Sequence, residues 1–91
     1  MIKRSRLFGQ KTRVTFALPA DQPAGDVSVV GSFNDWLPGH HQLLPRRNGT
    51  RTVSVTLPAG EHRFRYLATG GVWLDDESAD HVEHGASVIR L

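Results

Sequence analysis

Apolar residues in this chain recur at every second position, in short runs closed by glycine, proline or asparagine, and no stretch carries the three-and-four spacing of an amphipathic helix. That period belongs to strands with one face buried and the other wet. Val14, Phe16 and Leu18 alternate with Arg13, Thr15 and Ala17 before Pro19, and Val27 and Val29 alternate with Ser28 and Val30 before Gly31. Residues 43–46 and 51–57 flank Asn48-Gly49, the dipeptide that most readily takes a two-residue type I′ turn. Such a turn sets Arg47 opposite Thr50, Arg46 opposite Arg51 and Leu44 opposite Val53. After the Pro58-Ala59-Gly60 turn, His62, Phe64, Tyr66 and Ala68 share one face of a strand and Arg63, Arg65 and Leu67 the other. Residues 72–74 and 87–91 read as further strands, so the pattern predicts about seven short strands in an all-β, immunoglobulin-like (early-set) antiparallel β-sandwich.

A chain of 91 residues with 38% hydrophobic positions has room for one modest core. Cysteine is absent, which removes disulfide frameworks, thiolate metal sites and cysteine nucleophiles. No apolar run approaches the roughly 18 residues of a membrane-spanning helix, and the first ten residues lack the apolar middle of a signal peptide, so the expectation is a cytoplasmic protein without a membrane partner. The net charge of +2 is unevenly spread: Lys3, Arg4, Arg6, Lys11 and Arg13 crowd the start, and Asp75, Asp76, Glu77, Asp80 and Glu83 crowd a late segment. Residues 1–10 are therefore expected to form a basic, flexible N-terminal arm beside a single sandwich of residues 11–91. Such an arm could touch phosphates, but a solvated terminus is the simpler reading, and no nucleic-acid partner is expected.

The hairpin at Gly70-Gly71 can close in two ways. A two-residue turn pairs Ala68 with Trp73 and sends the indole to the face of Phe64 and Tyr66. A three-residue loop, Thr69-Gly70-Gly71 with glycine in the left-handed bulge position, pairs Leu67 with Trp73 and turns Val72 and Leu74 inward. The longer loop is preferred, because it buries two aliphatic side chains for about 1.5–3 kcal/mol each and leaves the indole N–H wet. It yields an exposed strip of Trp73, Leu67 and Arg65.

Val27 to Trp36, read Val-Ser-Val-Val-Gly-Ser-Phe-Asn-Asp-Trp, resembles the signature of family 48 carbohydrate-binding modules, which include the glycogen-binding domain of the AMP-activated protein kinase β subunit. Leu-Pro-Ala-Gly-Glu-His at residues 57–62, Phe-Arg-Tyr at 64–66, Gly71-Val72-Trp73 and the Asp75-Asp76 step keep the family's order over residues 12–91. The same module resembles the N-terminal domains of isoamylases, pullulanases and branching enzymes of glycoside hydrolase family 13. The resemblance implies that Trp36 and Trp73 stack on glucose rings and that Arg65 stands where the family has a lysine bonding sugar hydroxyls. By their own chemistry, Asn34 and Asp35 are expected to cap the corner after Gly31 with side-chain to backbone bonds, and Phe33 reads as core. Three departures are visible: the family's late glucan-contacting asparagine falls at Ala86, the family threonine just before it is lost in a shortened loop, and the Asp-Pro step after the second tryptophan reads Asp76-Glu77.

Other constellations carry less. His81, Glu83 and His84 could suggest a metal, but the two histidines are three apart in an irregular loop with no third ligand at a fixed spacing, so no metal is expected, and His40 and His41 read as loop polarity. Asp75, Asp76 and Glu77, neighbours in one loop, do not straddle a cleft as glycosidase carboxylates do, so neither catalysis nor a cofactor is expected. The expected partner is an α-glucan such as glycogen, starch or a maltooligosaccharide. The alternative is an interaction module that keeps the fold and docks a partner enzyme.

Overall fold

The computed structural model describes residues 1–83 and 85–91, and it folds as two antiparallel sheets packed face to face. The described residues form β1 (Ile2–Arg6), β2 (Lys11–Pro19), β3 (Val27–Gly31), β4 (Leu44–Pro45), β5 (Thr50–Pro58), β6 (Glu61–Ala68), β7 (Val72–Leu74), β8 (His81–Glu83) and β9 (Ala86–Arg90). The first sheet runs β1-β2-β5-β4 and the second β3-β6-β9-β8, with β7 also paired to β6. β7 covers Tyr66–Ala68 of β6 and β9 covers Glu61–Phe64, so the two lie end to end along the edge of β6 opposite β3. The all-β sandwich expected from the alternation is present, with β1 and β8 added to the expected strands.

The inward positions close on one another as the period requires. Val14 and Phe16 of β2 meet Val27 and Val29 of β3, Phe64, Tyr66 and Ala68 of β6 and Ile89 of β9 in one buried cluster. The Phe16 ring lies edge-on to Phe64 at 4.9 Å and stacks on Phe33 at 5.9 Å between centroids. Each such pair contributes about 0.5–1.5 kcal/mol beyond the area it buries. Phe33 thus joins the core, as expected.

Two local expectations are corrected. The basic N-terminal segment is not an arm outside the sandwich: Ile2–Arg6 pair with β2, placing Ile2 opposite Phe16 and packing it against the core. Arg4 reaches across to the second sheet, donating to Asp80 Oδ1 at 3.0 Å and to the Arg90 carbonyl at 3.3 Å. A single inward apolar residue among four polar ones gives the strand almost no hydrophobic period. The turn at Asn48-Gly49 is one residue longer than expected: Leu44 pairs with Thr52 and Pro45 with Arg51, and Arg46 N–H donates to the Thr50 carbonyl. Asn48 bonds forward, its Oδ1 accepting from Thr50 N–H at 3.3 Å and Oγ1 at 2.6 Å, and only Gly49 of the pair takes positive φ. Arg46 and Arg51 are therefore not opposed. Arg46 bonds Thr52, and Arg51 turns inward to the carbonyls of Pro23 and Gly25.

Gly31 closes β3 tight against the backbone of β6. A Cβ there would stand 2.4 Å from the Arg63 carbonyl oxygen and 2.7 Å from the Phe33 ring. Gly31→Ala is expected to lower unfolding free energy by about 1–3 kcal/mol through overpacking, read by urea denaturation.

Candidate binding surface

The β6–β7 hairpin decides which way the second tryptophan points. Leu67 pairs with Trp73, Tyr66 with Leu74 and Ala68 with Val72, which leaves Thr69-Gly70-Gly71 as the loop. Gly70 and Gly71 both take left-handed φ, at 87° and 75°, a conformation that two side chains in succession would strain. The register turns Trp73 to the outer face of the second sheet, where it is 44% exposed. Leu74 packs on the core as expected. Val72, on the inward side of its strand, is nonetheless exposed: the hairpin end carries it beyond the buried cluster.

Arg65 lies on that outer face, two residues before Leu67. Its guanidinium carbon is 5.5 Å from the centre of the Trp73 ring, a cation–π contact. Nε and Nη2 donate to Asp75 Oδ1 and Oδ2 at 3.2 and 3.3 Å, and Ser87 Oγ donates to Asp75 Oδ1 at 3.0 Å. Sequence reasoning missed Asp75, which it left in an acidic loop. The signal was in the register, since pairing Leu67 with Trp73 brings residue 75 opposite residue 65.

Asp76 points the other way. Its Oδ2 accepts from Tyr66 Oη at 2.6 Å and from the Met1 amino group at 2.9 Å, and its Oδ1 accepts from Ser78 N–H and Oγ at 2.9 and 2.6 Å. Burial alone would raise this carboxyl, but the bonds from Ser78, Tyr66 and the amino group outweigh it and hold Asp76 below the usual carboxylate range. Burial and the neighbouring carboxylate push the Tyr66 hydroxyl well above its ordinary value. Asp75 and Asp76, adjacent in sequence, thus serve opposite sides of the sheet.

Trp36 stands on the loop after β3. Asn34 caps that corner, as the sequence suggests: Oδ1 accepts from Gly31 N–H at 2.9 Å and Nδ2 donates to the Val29 carbonyl at 3.0 Å. Asp35 and Trp36 both take φ of 56°, and Trp36 N–H donates back to the Gly31 carbonyl at 3.0 Å. Two consecutive left-handed residues with side chains cost about 1–2 kcal/mol each, and here they leave the indole 40% exposed. Ser28 and Val30, the outward residues of β3, are buried, and Gly39 N–H donates to Ser28 Oγ at 3.1 Å. The loop is therefore folded onto the same outer face that carries Leu67, Arg65 and Trp73.

The loop's return is fastened by His41. Backbone bonds from Asn34 fix its amide with Nδ2 as the donor, so the 2.9 Å contact makes His41 Nδ1 an acceptor and its ring neutral. Burial, then the charge of His40, lowers the His41 pKa. The folded state therefore binds this proton less readily than the unfolded one. Its contribution is complete above the unfolded histidine value of about 6.5 and is lost as pH falls through the lower folded value. Comparing urea midpoints at pH 7.5 and 5.5, the loss on acidification is expected to shrink in His41→Ala.

Glu61, His81 and Glu83 place one ligand atom each within 4.8 Å of one another. Arg63 Nη2 already sits among them, 2.8 Å from Glu83 and 3.8 Å from Glu61, so the carboxylate charge is met by a side chain. His84, which the sequence groups with His81 and Glu83, lies outside the described residues.

An all-β sandwich that presents a half-exposed indole beside an anchored guanidinium on the outer face of one sheet, and a second half-exposed indole on the loop after β3, has the features of a binding module. The family described as the glycogen recognition site of AMP-activated protein kinase matches residues 14–89, and the chain belongs to that family. Compared with the curated proteins, it finds no match. Among the described residues, no helix is long and apolar enough to cross a membrane.

Proposed function

We propose that this chain is a non-catalytic module that binds α-1,4-linked glucans such as glycogen, starch or maltooligosaccharides through Trp36, Trp73, Arg65 and Leu67. The observation that carries the reading is the β6–β7 register, which keeps Trp73 outside beside Arg65 and Leu67. A glucose ring has an apolar C–H face that packs on an indole, and a rim of hydroxyls that take hydrogen bonds from a fixed donor. Leu67, half-buried and paired across the strands with Trp73, supplies apolar floor. Ala86 offers no side-chain hydrogen bond, which makes the site lean more on its aromatic surfaces. In this reading the module holds an associated glycogen-metabolising enzyme of the cytoplasm at its polymer.

Retention on immobilised glycogen tests it. The chain is expected to be retarded equally at 50 mM and 500 mM salt, because the ligand is uncharged, and Trp36→Ala is expected to abolish the retardation. Passage with the unbound fraction contradicts the reading. A second reading, docking of a partner protein by the same face, is favoured by Leu37 and Val72, exposed apolar residues beside the two tryptophans in sequence. Loss of a purified partner enzyme on Trp36→Ala, without glycogen retention by the parent chain, would select it.

A further inference from the structure

Asp75 stands outside the residues that the glucan reading requires, yet it holds one of them. Both oxygens of its carboxylate take donors from the Arg65 guanidinium, in the two-point geometry that fixes a planar group in orientation as well as position. The carboxylate is itself anchored from below. Ser87, fully buried on β9, accepts from Asp76 N–H at 2.9 Å and donates to Asp75 Oδ1 at 3.0 Å, so its one hydroxyl proton is committed to Asp75. A chain of contacts thus runs from the buried strand β9 through Asp75 and Arg65 to the Trp73 ring.

We infer that Asp75 is a positioning residue for glucan recognition, holding the Arg65 guanidinium against Trp73 before the ligand arrives. The inference rests on the reading that Trp73 and Arg65 contact glucan. An arginine alone on an outer strand face samples many rotamers, and ordering it on binding would subtract from a weak, solvent-exposed site. With Nε and one N–H of Nη2 committed to Asp75, the outer N–H groups remain to meet neighbouring hydroxyls on the sugar rim. Nη1 points toward Gly85 without being crowded by it: even an added Cβ there would stand 3.9 Å away, an ordinary contact. The pairing also neutralises Arg65, which suits an uncharged polymer.

Maltoheptaose titration by calorimetry of the whole chain, the Asp75→Asn and Arg65→Ala variants and their double mutant tests this, with thermal denaturation alongside. Asp75→Asn is expected to weaken binding about three- to tenfold, the cost of ordering one long side chain, while the melting midpoint stays close to the parent's. In the Arg65→Ala background the same substitution is expected to change nothing further, because Asp75 acts through the guanidinium. In the free protein, the Arg65 Nε–H resonance is expected to move when Asp75 is replaced. Should Asp75→Asn unfold the chain, Asp75→Ser is read in its place. An unchanged affinity in Asp75→Asn, with Trp73→Ala still defective, overturns the positioning role and leaves the glucan reading standing. An equal loss with and without Arg65 also overturns it. Failure of the parent chain to bind maltoheptaose overturns both.

Discussion

Trp73→Ala is expected to lower affinity for maltoheptaose by more than about tenfold, roughly 1.4 kcal/mol or more, while the thermal midpoint stays within about 4 °C of the parent. Under the proposed glucan reading, the affinity loss follows from removing the flat surface on which a glucose ring would pack. The small stability change follows from the exposure of the indole, which lies outside the buried cluster. Calorimetric titration and differential scanning measure the two effects on the same samples. Leu67→Ala is the useful companion, since it trims the strip's aliphatic floor without touching the stacking surface, and a smaller loss is expected there. Parent-like affinity in Trp73→Ala would remove this residue from the site.

The second large effect is on stability. Asp76→Ala is expected to cost about 2–4 kcal/mol, because it leaves the buried Tyr66 hydroxyl and the Ser78 donors without their acceptor. In a domain of this size each kcal/mol lowers the midpoint by about 4–8 °C. The same carboxylate sets an acid limit. Its folded pKa is held below the unfolded value, so its contribution is complete above the ordinary carboxylate value of about 4 and is lost as pH falls through the lower folded one. Urea denaturation at pH 7 and pH 3 checks the sign: the parent loses more stability on acidification than Asp76→Asn does. An equal loss in both would contradict the account of this carboxyl.

How much of this was legible in the residues alone differs from element to element. Alternation in β2, β5 and β6 is long enough to set both strand and facing, so the sandwich and its inward Phe16, Phe64 and Tyr66 could be read directly. Trp73 could be read only up to a choice of loop length, because a one-residue change in the hairpin moves every following side chain to the other face. The left-handed pair Gly70-Gly71 makes the longer loop natural, and the pairing of Leu67 with Trp73 follows. β1 was hidden because its charges outnumber its one inward residue, and long-range contacts such as Arg4 to Asp80 leave no trace in local pattern. The hairpin at Asn48-Gly49 slipped for a different reason: the asparagine spends its side chain on Thr50 and does not take the positive φ that a type I′ turn demands.

The site shows the same division. Trp36, Arg65 and Trp73 stand out by residue type and motif, but the backbone that lifts Trp36 uses left-handed φ at Asp35, which tolerates it, and at Trp36, which has no local preference for it. Asp75 and Asp76 looked like one acidic patch. The strand-like alternation that continues past Leu74 separates them, one to the Arg65 guanidinium and one to the buried Tyr66 hydroxyl.

Heteronuclear NMR of the intact chain titrated with maltoheptaose reads the central claim most directly, since each tryptophan reports through its own indole N–H. Both resonances are expected to shift together and saturate with one affinity, and the Trp73 shift is expected to vanish in Trp73→Ala while the fold-reporting amides of β6 hold their positions. Two indole signals that stay still up to millimolar sugar would contradict it.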